Sequence, residues 1–210
     1  MFNNCDFKTN GEEWFYNEIK EKITTIFDVG CREESLFTDF HGEVHYFDPV
    51  ESFINTLSSK QNSNKKSYFN TFGLGEEDKE IYYFPKYQSF YDRVVSCNES
   101  EEPNKIRLKI KKGKDYMTHR GLKTVDFLKI DTEGYELNVL KGFEYFLLNV
   151  KIVQFEYGGT FLDSNTKLID VVNYLKSHGF ERFFYLSGDG LHPVTDFTDH
   201  YNYCNIVCLR

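Results

Sequence analysis

The chain has 210 residues, 40% of them hydrophobic, which is enough for a single domain with a substantial core over residues 1–210 and argues against disorder. Asp and Glu number 33 against 25 Lys and Arg, and the net charge of −8 disfavours nucleic acid as a partner because such binding depends on basic residues that neutralise phosphates. The chain has no long apolar run, no signal-peptide pattern in MFNNCDFKTN and no CxxC spacing, so we expect a soluble cytoplasmic protein without a membrane span.

The first 75 residues predict an alternation of helices and strands. Phe15, Ile19 and Ile23 recur at helical spacing and predict an opening amphipathic helix. Short apolar runs bounded by turn residues predict three strands, with a helix that begins near Pro49 between the second and the third. These strands are TTIFDVG at 24–30, EVHYFD at 43–48 and KKSYFNTFGLG at 65–75.

The alternation resumes after residue 124. Apolar runs predict strands at VDFLKID (125–131) and KIVQFEYGG (151–159), each followed by a helix. The last two predicted strands, ERFFYLS (181–187) and NYCNIVCLR (202–210), have no helix between them and should be antiparallel neighbours. The pattern predicts a three-layer α/β/α, Rossmann-like fold whose sheet is mainly parallel and carries an antiparallel C-terminal strand.

Residues 76–124 interrupt this pattern with charged loops around two candidate strands, EIYYF and KIRLKIK. Long segments in compact domains are often lids or binding loops. We therefore expect a substrate-binding insertion or lid. Its aromatic and basic residues are candidates for a cap over a sugar: Tyr87, Phe90, Tyr91, Arg93, His119 and Arg120.

Acidic residues follow the first two predicted strands, where ligands of parallel α/β sheets bind. Asp28 and Gly30 end the first strand, and Asp48 ends the second twenty positions after Asp28. An acid at this spacing binds ribose hydroxyls in dinucleotide folds, although an acid there also caps helices, and both roles stay open for Asp48. The turn DVGCREES has only the first glycine of GxGxxG, and Glu33 and Glu34 would repel a pyrophosphate, which disfavours a nicotinamide cofactor.

A ligand with a ribose but no phosphate suits this turn better, and S-adenosylmethionine is the commonest of that kind. Its methionine carboxylate is a partner for Arg32 or for backbone N–H groups of the turn. Its ammonium group is a partner for Asp28 or for a backbone carbonyl. The sequence therefore predicts S-adenosylmethionine as the cofactor.

The stretch FLKIDTEGYELNVLKG at 127–142 closely resembles the signature of the FkbM-type methyltransferases, in which a strand, an Asp, a Glu-Gly pair and a second Glu lead into a helix with Leu-Lys-Gly. The resemblance continues in FDVG, YFDP, FGLG and IVQFEY. It implies a class I, S-adenosylmethionine-dependent O-methyltransferase that acts on hydroxyls of sugars, glycans or polyketide-like molecules. Where family members usually have a small residue, this chain has Glu34, whose side chain must then point away from the cofactor.

The resemblance also implies roles for individual residues. Asp28 and Gly30 would line the methionine end of the cofactor, Asp48 the ribose, and Phe72 and Gly73 the adenine. The transferred methyl and the acceptor would be surrounded by Asp131, Glu133 and Glu156.

Methyl transfer to an alcohol requires a group that removes the hydroxyl proton. Asp131 is the first candidate for this base and Glu156, at the end of the next predicted strand, is the second. The two acids are also candidate ligands for Mg²⁺ or a similar divalent cation. The alternatives are structural roles: Asp131 would cap the following helix, and Glu133 and Glu136 would satisfy backbone donors in the first turn of that helix.

We therefore expect an O-methyltransferase that transfers a methyl group to a hydroxyl of a sugar, glycan or other small molecule. The alternative is a non-catalytic S-adenosylmethionine-binding or scaffold domain with a degenerate glycine turn. Glu33 and Glu34 are the residues that favour this alternative.

Overall fold

The computed structural model describes residues 6–60, 66–85, 90 and 105–210. The first half of the chain forms α1 (Glu12–Ile19) with a 3-10 turn (Lys20–Lys22), β1 (Thr25–Val29), β2 (Glu43–Phe47), α2 (Glu51–Ser59), β3 (Lys66–Asn70), β4 (Gly73–Gly75), β5 (Lys79–Tyr83), β6 (Ile106–Lys112) and α3 (Gly113–Arg120). The second half forms β7 (Val125–Ile130), α4 (Glu136–Phe143) with a 3-10 helix (Glu144–Asn149), β8 (Val150–Tyr157), α5 (Thr160–Asp163), α6 (Leu168–Ser177), β9 (Arg182–Ser187), β10 (Gly190–Pro193) and β11 (Cys204–Leu209).

Eight strands form the main sheet in the order β10-β9-β11-β8-β7-β1-β2-β3. The strands from β8 to β3 are parallel, and β11 is antiparallel to both β8 and β9. This topology confirms the predicted α/β fold with its antiparallel C-terminal strand. The hairpin strand β10 was not predicted, because its four residues carry no alternating apolar pattern.

Two apolar cores cover the two faces of the main sheet. One contains Phe15 of α1 and Ile54 of α2, which pack against Ile26 of β1. The other contains Val139 of α4 and Val171 of α6. Because helices cover both faces, the fold has the three layers that the sequence predicts. Among the described residues, no helix has the length and apolar character needed to cross a membrane.

The prediction of one continuous strand over 65–75 is wrong. The main sheet ends at β3, and β4 pairs in parallel with β6 in a separate sheet of order β4-β6-β5. The Asn70 side chain donates to the carbonyls of Tyr46 and Tyr68, at 2.9 and 3.3 Å, where the chain leaves the main sheet. This second sheet brings Gly73 and Leu74 to the cavity that is described below.

Residues 76–124 contain the two predicted strands, β5 and β6, and also α3, which was not predicted. The sequence of α3 buries little besides Met117, so it lacks a clear apolar stripe. Tyr87, Tyr91 and Arg93 lie outside the described residues. Arg120 places its guanidinium 3.8 Å from the centre of the Tyr68 ring on β3, away from the cavity, so the structure does not bring it to a cap.

Candidate active site

A cavity of about 250 Å³ lies beyond the carboxyl ends of β2, β1, β7 and β8. This is the edge of a parallel sheet at which ligands bind. Most of the predicted site residues line it: Gly30, Arg32, Asp48, Gly73, Asp131, Glu133 and Glu156. Phe90 lines it as well, whereas His119 and Arg120 do not. Asp28 and Phe72, which were also predicted, are not among its lining residues.

Gly30 forms the tight turn after β1. Its N–H donates to the Phe47 carbonyl at 2.8 Å, and the Asp131 N–H donates to the Val29 carbonyl at 2.9 Å. The φ angle of Gly30 is 83°, and a Cβ built on it would lie 1.8 Å from the Asp131 carbonyl oxygen. Only glycine fits this crossing of two strand ends.

Asp48 does not cap α2, since no side-chain hydrogen bond caps the first turn of that helix. Its Oδ1 accepts from the Val50 N–H at 2.9 Å, just before α2, and its Oδ2 accepts from the Arg32 N–H at 3.1 Å. Because a carboxylate offers about four acceptor sites, these two bonds leave capacity for a ligand hydroxyl. Burial raises the pKa of Asp48 from 3.8 to about 6. These backbone hydrogen bonds and the predicted ribose contact are therefore compatible.

Glu34 points away from the cavity, as the resemblance requires. Its side chain is 70% exposed, and Oε1 lies 3.3 Å from Lys60 Nζ at the end of α2. Lys60 also donates to the Glu33 carbonyl at 3.0 Å. Arg32, in contrast, lines the cavity with its guanidinium 5.5 Å from the centre of the Phe53 ring. The turn thus presents a positive side chain to the cavity and directs Glu34 to the solvent.

Asp28 lies behind this turn and is only 2% exposed. Its Oδ2 accepts from the Ser35 hydroxyl at 2.5 Å, while Oδ1 has no hydrogen-bond partner among the described residues. Burial raises the pKa of Asp28 from 3.8 to about 6. A buried carboxylate oxygen without a donor is destabilising in the free protein, and it suits a site that receives the ammonium of an amino acid.

Replacing Asp28 by asparagine should change how stability depends on pH. The raised pKa means that the folded protein holds the Asp28 proton more tightly than the unfolded chain, so wild-type stability falls as pH rises from about 4 to about 7. A rise in pKa from 3.8 to about 6 corresponds to about 3 kcal/mol. Asparagine does not titrate, so Asp28→Asn should not lose this stability. The difference in free energy of unfolding between Asp28→Asn and wild type should therefore grow by about 3 kcal/mol between about pH 4 and about pH 7.

Urea unfolding at a series of pH values measures this difference directly. Asp39→Asn, which replaces a solvent-exposed carboxyl, is the comparison variant. Parallel pH profiles for wild type and Asp28→Asn would contradict the assignment of a raised pKa to this carboxyl.

The acids at the ends of β7 and β8 meet on one side of the cavity. Carboxylate oxygens of Asp131, Glu133 and Glu156 lie within 4.8 Å of one another. Burial, followed by the charges of Asp131 and Glu133, raises the pKa of Glu156 well above its ordinary value. Three carboxylates at this spacing are able to coordinate a hard cation.

Lys129 supplies a positive charge to this cluster and was not predicted as a site residue. Its Nζ donates to Asp131 Oδ2 at 3.1 Å and lies 3.6 Å from Glu12 Oε1. Burial alone would lower the pKa of Lys129, but Asp131 and Glu12 raise it well above its ordinary value. An ammonium therefore already neutralises part of the charge that a metal ion would neutralise.

Glu136 builds the turn between β7 and α4. Its buried Oε1 accepts from the Thr132 N–H at 2.9 Å, the Thr132 hydroxyl at 3.0 Å and the Gly134 N–H at 3.2 Å. The structural role that the sequence left open is thus observed for Glu136. Asp131 makes no such bond to the turn within the described part of the chain, so its side chain is not a helix cap.

The structure does not place Phe72 at the cavity, in contrast to the prediction. Its ring packs against Phe47 and Tyr116, with centroids 5.9 and 6.0 Å apart, because the chain turns there into the second sheet. Gly73 does line the cavity. The apolar wall available to an adenine ring is formed by residues that the sequence did not single out: Val50, Phe53, Leu74, Tyr83 and Ile110.

Polar residues from both ends of the chain complete the lining. Asn10 and Glu12 come from the start of α1, and Asn205 comes from β11. No local sequence pattern marks these residues, because only the pairing of β11 with β8 brings them together. They stand beside the acidic cluster and not beside Asp48.

The family model described as the methyltransferase FkbM domain matches residues 28–182. The chain belongs to the FkbM methyltransferase family. This membership identifies it as an S-adenosylmethionine-dependent methyltransferase, and a cavity lined by the Asp48 carboxylate and by an apolar wall is compatible with that cofactor. A search of curated proteins found no match.

Solved structures share the fold at low sequence identity. A TehB-like SAM-dependent methyltransferase from Corynebacterium glutamicum ATCC 13032 Kitasato is 12% identical with a TM-score of 0.52, over 99% of this chain and 89% of that chain. The N-methyltransferase NodS from Bradyrhizobium japonicum WM9 is 7% identical with a TM-score of 0.50, over 95% of this chain and 93% of that chain. Both similarities concern the fold, which agrees with the family assignment.

Proposed function

We propose that this FkbM-family protein is an O-methyltransferase that methylates a hydroxyl of a sugar, glycan or similar small molecule. The observation that carries the proposal is the position of Asp131 and Glu156 at the ends of adjacent strands, beside the cofactor turn at Gly30. An alcohol needs a base at the transferred methyl, and these acids provide one. The net charge of −8 supports an acceptor other than nucleic acid.

The cofactor supplies an electrophilic methyl group on a sulfonium. Asp48 would bind the ribose hydroxyls, and Arg32 would bind the methionine carboxylate. Gly73 and the apolar residues around it would hold the adenine. Residues 76–124 are proposed to contribute to the acceptor side through Phe90, which lines the cavity.

Asp131 is the proposed base. When the acceptor oxygen takes the methyl group, the hydroxyl proton would pass to Asp131. Lys129 Nζ donates to Asp131 Oδ2 at 3.1 Å and holds this carboxylate in position. Glu133 and Glu156 would contact the acceptor, with Glu156 as the second candidate base.

A divalent cation at Asp131, Glu133 and Glu156 is the alternative way to activate the hydroxyl. The Lys129 ammonium favours the cation-independent reaction, because it already stands at Asp131. Turnover assayed with EDTA and then with added Mg²⁺ separates the two. Activity that survives EDTA supports the Lys129 arrangement, and activity restored only by Mg²⁺ supports the metal.

The proposal is tested by incubating the protein with methyl-labelled S-adenosylmethionine and a panel of methyl glycosides, oligosaccharides and phenols. We expect label in a sugar ether that is stable to mild base. Label confined to amines or carboxylates would contradict O-methylation. In parallel, calorimetric titration tests the scaffold alternative: low-micromolar affinity for S-adenosylmethionine opposes it, and millimolar or absent binding favours it.

A further inference from the structure

The side-chain amide of Asn205 has an orientation that its neighbours determine. The Glu12 carboxylate can only accept hydrogen bonds, so Gln154 must turn Nε2 toward it, and this nitrogen donates to Glu12 Oε1 at 2.8 Å. The same Nε2 donates to Asn205 Oδ1 at 3.3 Å. Because Asn205 Oδ1 faces Gln154, Asn205 Nδ2 points away from Gln154.

This Nδ2 group is a donor without an acceptor. Asn205 is only 4% exposed and lines the cavity. Its Nδ2 makes no hydrogen bond to the residues that the structure describes. Because this nitrogen is not sealed off from the cavity that Asn205 lines, a ligand oxygen there can accept a hydrogen bond from it.

Glu156 is the direct cross-strand neighbour of Asn205. The two residues are paired in the antiparallel ladder of β8 and β11, so their side chains project from the same face of the sheet. Directly opposed residues have Cβ atoms about 5 Å apart. Glu156 also lines the cavity, and its carboxylate has no hydrogen bond or salt bridge to residues 6–60, 66–85, 90 or 105–210.

We infer that Glu156 and Asn205 form an acceptor subsite that binds two neighbouring hydroxyl groups of a polyol such as a sugar. One hydroxyl donates to the Glu156 carboxylate, and the adjacent hydroxyl accepts from Asn205 Nδ2. This inference rests on the proposed O-methyltransferase function and assigns Asn205, which lies beyond the residues 28–182 of the family match, to acceptor specificity. Glu12 and Gln154 act as positioning residues that fix the Asn205 amide.

The test compares acceptors that differ by one hydroxyl. The probe is the best methyl glycoside from the labelled-methyl panel, together with its monodeoxy derivatives. For wild type, removing one hydroxyl next to the methylated position should raise KM about tenfold to a hundredfold, because a buried donor or carboxylate is then left unpaired. Affinity for S-adenosylmethionine is measured alongside as the readout of an intact cofactor site.

Asn205→Asp replaces the donor by an acceptor of the same shape. It should raise KM for the parent sugar by the same factor, and it should no longer distinguish the parent from one monodeoxy derivative. Asn205→Ser, which adds no charge and is too short to reach the ligand, should reproduce this loss if the aspartate variant does not fold. Asn55→Asp, on the exposed face of α2, is the matched control and should leave all values unchanged.

The outcomes separate the two proposals. If Asn205→Asp and Asn205→Ser lose the same factor on the parent sugar and on every monodeoxy derivative, the subsite is overturned while O-methylation stands. If wild type binds S-adenosylmethionine but methylates no member of the sugar panel, the proposed acceptor class fails and the subsite fails with it.

Discussion

Gly30→Ala should destabilise the protein by about 2 to 6 kcal/mol and abolish measurable cofactor binding. A non-glycine residue in the left-handed region costs about 1 to 3 kcal/mol, and forcing an extra methyl into a packed site costs about 1 to 3 kcal/mol more. At Gly30 both apply, since φ is 83° and the new Cβ would lie 1.8 Å from the Asp131 carbonyl oxygen. Denaturant unfolding measures the first effect and calorimetry the second.

Gly121→Ala is the matched control for this experiment. Gly121 ends α3 with a φ of 67°, also in the left-handed region, but a Cβ there would meet nothing within 4 Å. Its loss of stability should therefore be only about 1 kcal/mol, with cofactor binding retained. Equal losses at the two glycines would show that backbone strain alone, and not the crossing of the β1 and β7 ends, makes Gly30 necessary.

Asp131→Asn should lower kcat by about 10² to 10⁴, the usual contribution of a positioned general base. The amide keeps the shape of the side chain but accepts no proton from the acceptor hydroxyl. Lys129 keeps its second carboxylate, Glu12, at 3.6 Å, so the fold should survive. Single-turnover transfer of the labelled methyl measures the loss, and calorimetry should show S-adenosylmethionine bound with nearly unchanged affinity.

Asp115→Asn on the exposed side of α3 is the comparison for this change of charge and should behave as wild type. Full activity of Asp131→Asn would remove Asp131 as base and leave Glu156 as the remaining candidate. A parallel loss of activity and cofactor affinity would mean that Asp131 holds the cofactor and does not act on the acceptor.

The position of much of the cavity lining could be predicted because these residues follow strands directly. Gly30, Asp48 and Asp131 each stand one or two positions beyond a short apolar run, and parallel strands bring such ends to one edge. The same logic placed Glu156 beside Asp131, which the pairing of β7 with β8 confirms. Local pattern and global topology agree at these positions.

The other features of the site depend on contacts between residues that are distant in the sequence, and no local pattern contains these contacts. Phe72 was expected at the cavity, but the pairing of β4 with β6 directs the chain so that its ring packs against Phe47. Lys129 lies inside an apolar strand, and its charge becomes meaningful only when Glu12 arrives from α1. Asn205 requires the complete sheet, because β11 is the last strand of the chain.

The origin of the lining residues has a consequence for how this enzyme can diversify. The residues proposed to hold the cofactor come from the loops after β1 and β2 and from the second sheet, while Asn10 precedes α1 and Asn205 lies on β11. Changes at Asn10 or Asn205 can therefore alter which acceptor is used without disturbing the cofactor. In a lineage under selection for new glycans, we expect substitutions at these two positions and in residues 76–124, while Gly30 and Asp48 stay constant.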